Sequence, residues 1–361
     1  MARTIDSPHG VARETAAPTA PETRKARPIV WFGVIGAGFV LLEAWIYITW
    51  FTTGEAHRTP TGSSPIPTST HVWAAVFQIS GVVLTVVAIV LAARQSIRQR
   101  RLSWDAMLVI AWVSLYWQDP LINYVRHVYL YSSVLWNWGS WVERIPGWRS
   151  PGGHLLPEPI LFSGNAYFWL GPGASILAFF FMRRARRRWP QLGVIGTILC
   201  GLAGMVALDI LAEVTFIRTG LYAYPGAIRS LSAWGGHRYQ FPIYEAILWG
   251  SVWTTMGALR FFRDDRGRSV VERGVDRVAA PRWRTPLRVL ALVGVANVAM
   301  LAYSVAINYT ALFADPFPRG YPTWLLNRQC GQGTTYACSS PRIPIPLPGS
   351  DHLPPRPSDP D

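Results

Sequence analysis

The chain has 361 residues, half of them hydrophobic and only 15% charged, with 18 tryptophans. This composition is typical of a lipid-embedded protein and not of a water-soluble globular one. The formal net charge is +14, but the arginines follow long apolar segments instead of alternating with polar surface residues. The charge therefore argues against a nucleic-acid-binding protein and for anchors at a membrane surface.

Seven apolar stretches approach or reach the length of about 20 helical residues that crosses a bilayer core. They cover residues 29–51, 72–93, 103–117, 166–182, 192–217, 241–262 and 287–309. The third is short and meets Pro120, which ends or kinks a helix, and Gly171-Pro172-Gly173 predicts a break in the fourth. GVIGAGFV at 33–40 lies inside the first span, where small residues indicate a helix-packing face. The sequence predicts an all-α, polytopic helix bundle.

Basic stretches predict the orientation of this bundle. Four arginines lie within 94–101, RRARRR occupies 183–188, and a third basic stretch covers 260–288. Cytoplasmic loops carry an excess of Lys and Arg, and Arg24, Lys25 and Arg27 precede the first span. We therefore expect a multi-pass protein of the bacterial cytoplasmic membrane, with its amino terminus in the cytoplasm and its carboxyl terminus outside.

The predicted organisation is a disordered cytoplasmic tail (1–28), a transmembrane helical domain (29–310) and an extracytoplasmic, Pro-rich tail (311–361). Residues 1–28 lack apolar periodicity, which is typical of disorder. The last region contains Cys330 and Cys338. Outside the cytoplasm a disulfide persists, so we expect these two residues to form a structural one; the alternative is two free thiols. Cys200, within the fifth span, is expected to be a small buried residue.

The outer segment 117–165 is unusually rich in aromatic residues. It contains WQDPLINY (117–124), WNWGSW (136–141), PGW (146–148) and PEP (157–159). A plain linker would expose these rings to water, so the segment is expected to fold onto the bundle as a lid or re-entrant element. The alternative is an interfacial aromatic belt.

Ionisable residues inside apolar spans are the first candidates for function, because burying them is costly. Asp209 and Glu213 are four residues apart and therefore share a helix face; Glu245 and Glu43 lie in the sixth and first spans. The alternative for Glu213 is a structural pair with Arg218.

Asp119 and Asn123 repeat this spacing in the outer segment, although an Asp before a Pro also caps helices. If such carboxyl groups share a dry cavity, repulsion and desolvation leave a proton on at least one of them, which makes it a general acid.

Tyrosines near the same outer face could orient hydroxyl groups or stack on a cationic intermediate, or could belong to the belt. They are Tyr222, Tyr224, Tyr239 and Tyr244. The sequence contains no CxxC, no HExxH and no phosphate-binding glycine motif, and its histidines are scattered singly. We therefore expect no metal and no cofactor.

Four segments resemble the AveC-type spirocyclases, a family of actinobacterial membrane proteins named for a spiroketal cyclase and dehydratase. They are WQDPLINY, the WNWGSW, PGW and PEP motifs, DILAEVTFIRTGLYAYPG (209–226) and YQFPIYEAILWG (239–250). The resemblance covers 103–262. It implies cyclisation of a dihydroxy-ketone polyketide to a spiroketal, with or without dehydration, in secondary metabolism. The implied partners are a hydrophobic small molecule and the lipid bilayer.

The predicted site combines these observations. The expected catalytic acids are Asp119, Asp209, Glu213 and Glu245. The expected substrate contacts are Asn123, Tyr124, Trp141, Trp148, Glu158, Tyr222, Tyr224 and Tyr244. Two other functions remain open from the sequence: an integral-membrane terpene cyclase, which would also protonate its substrate with buried acids, and a non-enzymatic transporter or lipid-binding protein.

Overall fold

The computed structural model describes residues 28–150, 152–330, 334 and 338. The tail predicted to be disordered, 1–28, therefore lies outside the described residues apart from Pro28, as does the last part of the predicted Pro-rich tail, 339–361.

The described chain is mostly helical, with 65% helix and little strand. Its helices are α1 (Pro28–Thr52), α2 (Thr68–Gln99), α3 (Trp104–Val113), α4 (Asn165–Arg188), α5 (Val194–Arg218), α6 (Ile243–Phe261), α7 (Arg284–Ala311) and the single turn α8 (Thr323–Leu326). Within the described residues, five helical stretches are long and apolar enough to cross a membrane: α1, α2, α4 with the turn before it, α5, and α7 with the turn before it. The protein is a helical membrane protein.

The third predicted span is shorter than expected. Helix α3 has ten residues and is therefore about 15 Å long, half the thickness of a hydrocarbon core. A 3-10 helix, Tyr116–Asn123, follows it and contains Pro120. The sixth predicted span forms the 19-residue helix α6, which is not among the five apolar stretches above. The total of seven spans therefore stays a prediction.

The predicted break at Gly171-Pro172-Gly173 is wrong, because α4 continues through Pro172. The irregular turn lies earlier, at Ile160–Gly164, where the chain forms a π-helix. Glycine is needed at position 171 for helix packing and not for a break. A Cβ atom there would lie 2.4 Å from the ring of Trp112, so glycine lets this buried indole of α3 rest against α4.

The predicted packing face of the first span is confirmed. Helix α1 packs against α7, and a Cβ atom on Gly36 would lie 1.9 Å from the backbone oxygen of Leu290. On the opposing helix, a Cβ atom on Gly294 would lie 2.3 Å from the oxygen of Phe32. The two backbones approach this closely only because both positions are glycine.

A buried hydrogen-bond network fixes the 3-10 helix against α7. The Nε1 of Trp117 and the Nε2 of Gln118 donate to Oδ1 of Asn297 at 3.0 and 2.7 Å. The Nδ2 of Asn297 donates to Oγ of Ser114 at 3.0 Å. Asn297 is fully buried, and a buried amide without such partners would be costly. The network therefore holds the segment that carries Asp119 at a defined place.

The aromatic outer segment folds onto the bundle. Trp141 is 1% exposed, and its Nε1 donates to the backbone oxygen of Trp117 at 2.8 Å. Trp136 and Trp138 remain exposed, as residues of an interfacial belt would be. The segment thus has the buried contacts expected of a lid and also the exposed indoles expected of a belt.

One of two short antiparallel sheets ties this segment to the loop after α5, and the other lies within that loop. Strand β1 (Leu130–Tyr131) pairs with β2 (Tyr222–Ala223), so that Tyr131 lies opposite Tyr222. Strand β3 (Ser232–Ala233) pairs with β4 (Phe241–Pro242) just before α6. Although the sequence predicts an all-α fold, the β1–β2 ladder brings the two tyrosine-bearing segments together.

Part of the region that the sequence assigns to the carboxyl-terminal tail is packed. Trp324 and Leu326 are buried. The Nδ2 of Asn327 donates to the backbone oxygen of Tyr131 at 2.8 Å. A disulfide joins Cys330 to Cys338. Residues 311–330 therefore cover the same end of the bundle as the aromatic segment.

Replacing both Cys330 and Cys338 with Ser is expected to lower the melting temperature and to leave turnover of the folded protein largely intact. Removal of a disulfide costs about 2 to 4 kcal/mol, whereas neither cysteine lines the cavity described below. The measurement compares thermal unfolding in detergent with turnover of the folded fraction. Loss of turnover without loss of folded protein would place this region in the active site.

The predicted orientation is tested with reporter fusions at Arg186, after α4, and at Arg268, after α6. Both positions lie in basic stretches, so both reporters are expected to indicate the cytoplasm. A fusion in the aromatic segment, for example at Arg149, serves as the opposite control. An external signal from either basic loop would overturn the topology.

Candidate active site

A cavity of about 260 Å³ lies inside the bundle, bordered by α2, α4, α5, α6, α7 and the 3-10 helix. Its wall is mainly apolar and aromatic, and three carboxyl groups from the described part of the chain line it: Asp119, Glu213 and Glu245. Six tyrosines also line it: Tyr129, Tyr131, Tyr167, Tyr222, Tyr224 and Tyr303. An apolar pocket with a few convergent polar groups is the usual form of a small-molecule site.

Helical geometry assembles the first acid cluster. Asp209 and Glu213 lie one turn apart on α5 and share a face, and Glu245 lies in the first turn of α6. One carboxylate oxygen of each lies within 4.8 Å of the others. Asp209 is 1% exposed and Glu245 2%. Glu213 and Glu245 line the cavity, whereas Asp209 lies behind them.

Tyrosine hydroxyls are the donors that reach this cluster. The hydroxyl of Tyr224 donates to Oε2 of Glu213 at 2.8 Å, and that of Tyr303 donates to Oε1 of Glu245 at 3.1 Å. Among the described residues, Oδ2 of Asp209 and Oε2 of Glu245 are buried without a hydrogen-bond partner. These oxygens are the natural positions for a proton shared within the cluster.

Electrostatics limits how many of the three acids can be ionised together. Two unit charges 4.8 Å apart repel by about 3 to 4 kcal/mol at an effective dielectric constant of 20. Three such charges in an apolar environment therefore require a proton or a cation among them. The oxygen spacing also suits a metal ion. The geometry thus accommodates either a shared proton or a metal ion. The sequence has no recognisable metal-binding motif that would favour the metal ion.

A second carboxyl pair, Asp119 and Glu158, lies on the side of the aromatic segment. The hydroxyls of Tyr167 and Tyr131 donate to Oδ1 and Oδ2 of Asp119 at 2.7 and 2.9 Å. Burial raises the pKa of Asp119, and these hydroxyl donors counteract the rise. Burial and the adjacent charge of Asp119 raise the pKa of Glu158 well above its ordinary value. Glu158 is therefore the weaker acid of the pair, and a proton that the pair retains resides on Glu158 and not on Asp119.

Glu158→Gln is expected to flatten the dependence of stability on pH. A buried acid whose pKa is raised binds its proton more tightly in the folded than in the unfolded state, so it disfavours folding increasingly as pH rises above the ordinary value of 4.5. Gln mimics the protonated acid and does not titrate. The melting temperature of the parent should fall more between about pH 5 and pH 8 than that of the variant. An equal decrease of the melting temperature with pH in the parent and in Glu158→Gln would contradict a protonated Glu158.

The structure brings together most of the predicted acids. Asp119, Glu213 and Glu245 line the cavity, together with the predicted contacts Tyr222 and Tyr224. The fourth predicted acid, Asp209, does not line the cavity but lies beside Glu213 and Glu245. Glu158, a predicted substrate contact, does not line the cavity either and lies beside Asp119.

Five predicted substrate contacts lie elsewhere and have structural hydrogen bonds or ring contacts. The Oδ1 of Asn123 accepts from the backbone nitrogens of Val128 and Tyr129 and so shapes a turn. Tyr124 donates to the oxygen of Pro146. The remaining three residues, none of which lines the cavity, are Trp141, Trp148 and Tyr244.

Two further candidates also lie away from the cavity. Glu43 lies on α1 and does not line the cavity. The guanidinium of Arg218 lies over the rings of Tyr239 and Trp234, at 3.9 and 4.7 Å from their centroids. The alternative that Arg218 pairs with Glu213 is therefore replaced by a cation–π contact at the end of α5.

Sequence reasoning missed four cavity tyrosines: Tyr129, Tyr131, Tyr167 and Tyr303. Two features of the sequence could have indicated these residues. The alternation in VYLY, residues 128–131, places Tyr129 and Tyr131 on one face of an extended segment. Tyr167 and Tyr303 both lie inside predicted membrane spans, where a polar side chain is a reason to suspect function.

Comparison with known proteins places the chain in a family. Residues 99–324 match the family described as Spirocyclase AveC-like. This match covers the cavity-lining acids and extends beyond the expected 103–262 to include α7, which carries Tyr303. No curated protein and no solved structure matches the chain. The chain belongs to the AveC-like spirocyclase family.

Proposed function

We propose that this protein is a cofactor-independent membrane cyclase that closes a spiroketal from a hydroxylated, polyketide-like ketone by acid catalysis. Family membership supports a cyclase-type role. The observation that carries the proposal is the arrangement of the acids. The cluster around Glu213 and the separate pair around Asp119 face one aromatic-lined cavity from different elements.

The reaction begins when one hydroxyl of the substrate adds to the ketone carbon and gives a cyclic hemiketal. A carboxyl proton from the cluster, at Glu213 or Glu245, then passes to the hemiketal hydroxyl. The carbon–oxygen bond breaks, water leaves, and an oxocarbenium ion remains. The crowding of three acids within 4.8 Å supports this role, because one of them must retain a proton for delivery.

The ionised Asp119 stabilises the oxocarbenium ion across the cavity. Tyr131 and Tyr167 hold its carboxylate in a fixed position through their hydroxyls, and the surrounding tyrosine rings offer π faces to the cation. The second substrate hydroxyl attacks the same carbon and gives its proton to a carboxylate, which restores the acid. One water molecule is released for each spiroketal formed.

The test uses the purified full-length protein in detergent and a linear ketone with a δ-hydroxyl group on each side. We expect spiroketal formation faster than in buffer and with one configuration at the spiro carbon in excess. Racemic product at the uncatalysed rate, from well-folded protein, would overturn the proposal. Turnover in detergent also separates an enzyme from a transporter, which requires sealed vesicles.

Two additional arms test the alternatives. Turnover that survives EDTA favours a proton within the cluster, whereas loss of turnover that a divalent cation restores would favour a metal ion at Asp209, Glu213 and Glu245. A linear polyene epoxide replaces the ketone in the second arm. Cyclisation of the epoxide, with no conversion of the ketone, would support the terpene cyclase alternative.

A further inference from the structure

The cavity wall reaches the protein surface on α2. Of the described residues that line the cavity, two are exposed, Ser80 and Leu84, and both belong to α2. Leu84 is 38% exposed. A side chain that borders an internal cavity and is also exposed outside marks the place where the cavity opens. The mouth therefore lies beside the middle of α2.

The position along α2 indicates what the mouth faces. Leu84 lies about 24 Å along the helix axis from Thr68 and about 15 Å from Arg94, the first basic residue at the other end. The neighbouring outward residues are aliphatic, and Val76, Val83 and Val87 are all exposed. In a membrane-spanning helix, a mouth at this depth opens into hydrocarbon and not into water.

Helix α2 is held to the bundle mainly along one line. Its buried residues are Thr70, Ala74 and Gly81. A Cβ atom on Gly81 would lie 3.1 Å from the backbone oxygen of Leu161, so the helix touches the turn before α4 there. Leu84 is one turn further along and remains exposed. The close contact and the opening are thus neighbours on the same helix.

We propose that the mouth beside Ser80 and Leu84 is a lateral portal through which an amphipathic substrate enters from the bilayer. Its polar, hydroxylated end would reach the acids, and its long apolar chain would lie in the portal against Phe77 and Leu84. The identity of the reactive end rests on the proposed function; the route and the apolar chain rest on the position of the mouth. The substrate class is therefore a lipid-partitioning molecule, for which delivery through the outer aqueous phase is unnecessary.

The test uses the full chain in phosphatidylcholine vesicles and a small aryl diazirine that dissolves in the hydrocarbon phase. After photolysis, peptide mass spectrometry measures labelling of the buried cavity residues Tyr129, Met300 and Tyr303. Leu84→Trp, which narrows the mouth, is compared with Val83→Trp, which adds the same indole to an exposed position outside the cavity lining. We expect a several-fold loss of cavity labelling in Leu84→Trp alone.

Cavity residues that remain unlabelled in the parent protein, labelling that Leu84→Trp does not reduce, or an equal loss in both variants would each overturn the portal. Leu84→Ala supplies the opposite change and should increase cavity labelling. The readout does not depend on turnover. A protein that is labelled as expected but converts no dihydroxy-ketone would contradict the proposed reaction and still support the portal. Normal turnover without labelling of the cavity residues would support the reaction and contradict the portal.

Discussion

Glu213→Gln is expected to lower turnover by about two to four decades, the range typical of removing a general acid. Glu213 lines the cavity and belongs to the cluster whose oxygens lie within 4.8 Å of one another. Gln keeps the size of the side chain and can still accept the hydrogen bond from Tyr224. It cannot donate an exchangeable carboxylic proton to a leaving hydroxyl. The measurement is the single-turnover rate of spiroketal formation by protein of verified fold.

The same substitution at Glu43 is the matched control. Glu43 is also an acid within a membrane-spanning helix, but it does not line the cavity. Glu43→Gln should therefore keep the parental rate. Equal losses in both variants would mean that removing a carboxyl group from any membrane-spanning helix disturbs the fold. The lower rate of Glu213→Gln would then be no evidence for acid catalysis.

Two further substitutions distinguish members of the cluster. Asp209 lies behind the cavity wall, so Asp209→Asn should reduce turnover less than Glu213→Gln if it acts only by sharing the proton. Glu245→Gln tests the other cavity-facing acid. If both Asp209→Asn and Glu213→Gln cyclise substrate at the parental rate, the pair is structural, and the acid is to be sought at Asp119, Glu158 or Glu245.

Helices were more predictable from the sequence than their ends and interruptions. The long apolar stretches and the glycines of the first span follow from local composition, and the α1–α7 contact through Gly36 uses those glycines. The early end of α3 at Val113 does not follow from composition, because the apolar run continues to Trp117. The 3-10 helix that replaces it depends on a distant partner, Asn297 of α7.

The site residues likewise include some that the local sequence predicts and others that depend on distant parts of the chain. The shared face of Asp209 and Glu213 is a local property of α5, and the cost of burying acids was enough to select them. The pairing of Tyr131 with Tyr222 depends on a two-residue ladder between segments that are distant in the chain. Likewise, Tyr167 and Tyr303 reach Asp119 and Glu245 only through packing of α4 and α7. No local pattern specifies such contacts.

Asp119→Asn is expected to reduce turnover by roughly three decades. A carboxylate about 4 Å from a cation stabilises it by about 4 kcal/mol at an effective dielectric constant of 20, and each 1.36 kcal/mol corresponds to about tenfold in rate. Asn has nearly the same shape and can still accept a hydrogen bond from Tyr131 or Tyr167, so the fold should persist. What is lost is the negative charge opposite the developing oxocarbenium ion.

The pH profile distinguishes this role from a structural one. Burial raises the pKa of Asp119 above its ordinary value of 3.8, so turnover of the parent should fall as pH decreases through that raised pKa and Asp119 becomes protonated. The residual activity of Asp119→Asn should lack this acidic limb. The double variant Tyr131→Phe, Tyr167→Phe removes the two hydroxyl donors but keeps the carboxyl group of Asp119. Because those hydroxyls stabilise the ionised form of Asp119, the double variant should lose turnover at a higher pH than the parent. An Asp119→Asn variant with the parental profile at reduced rate would assign Asp119 to packing, and the stabilising charge would then have to come from Glu245.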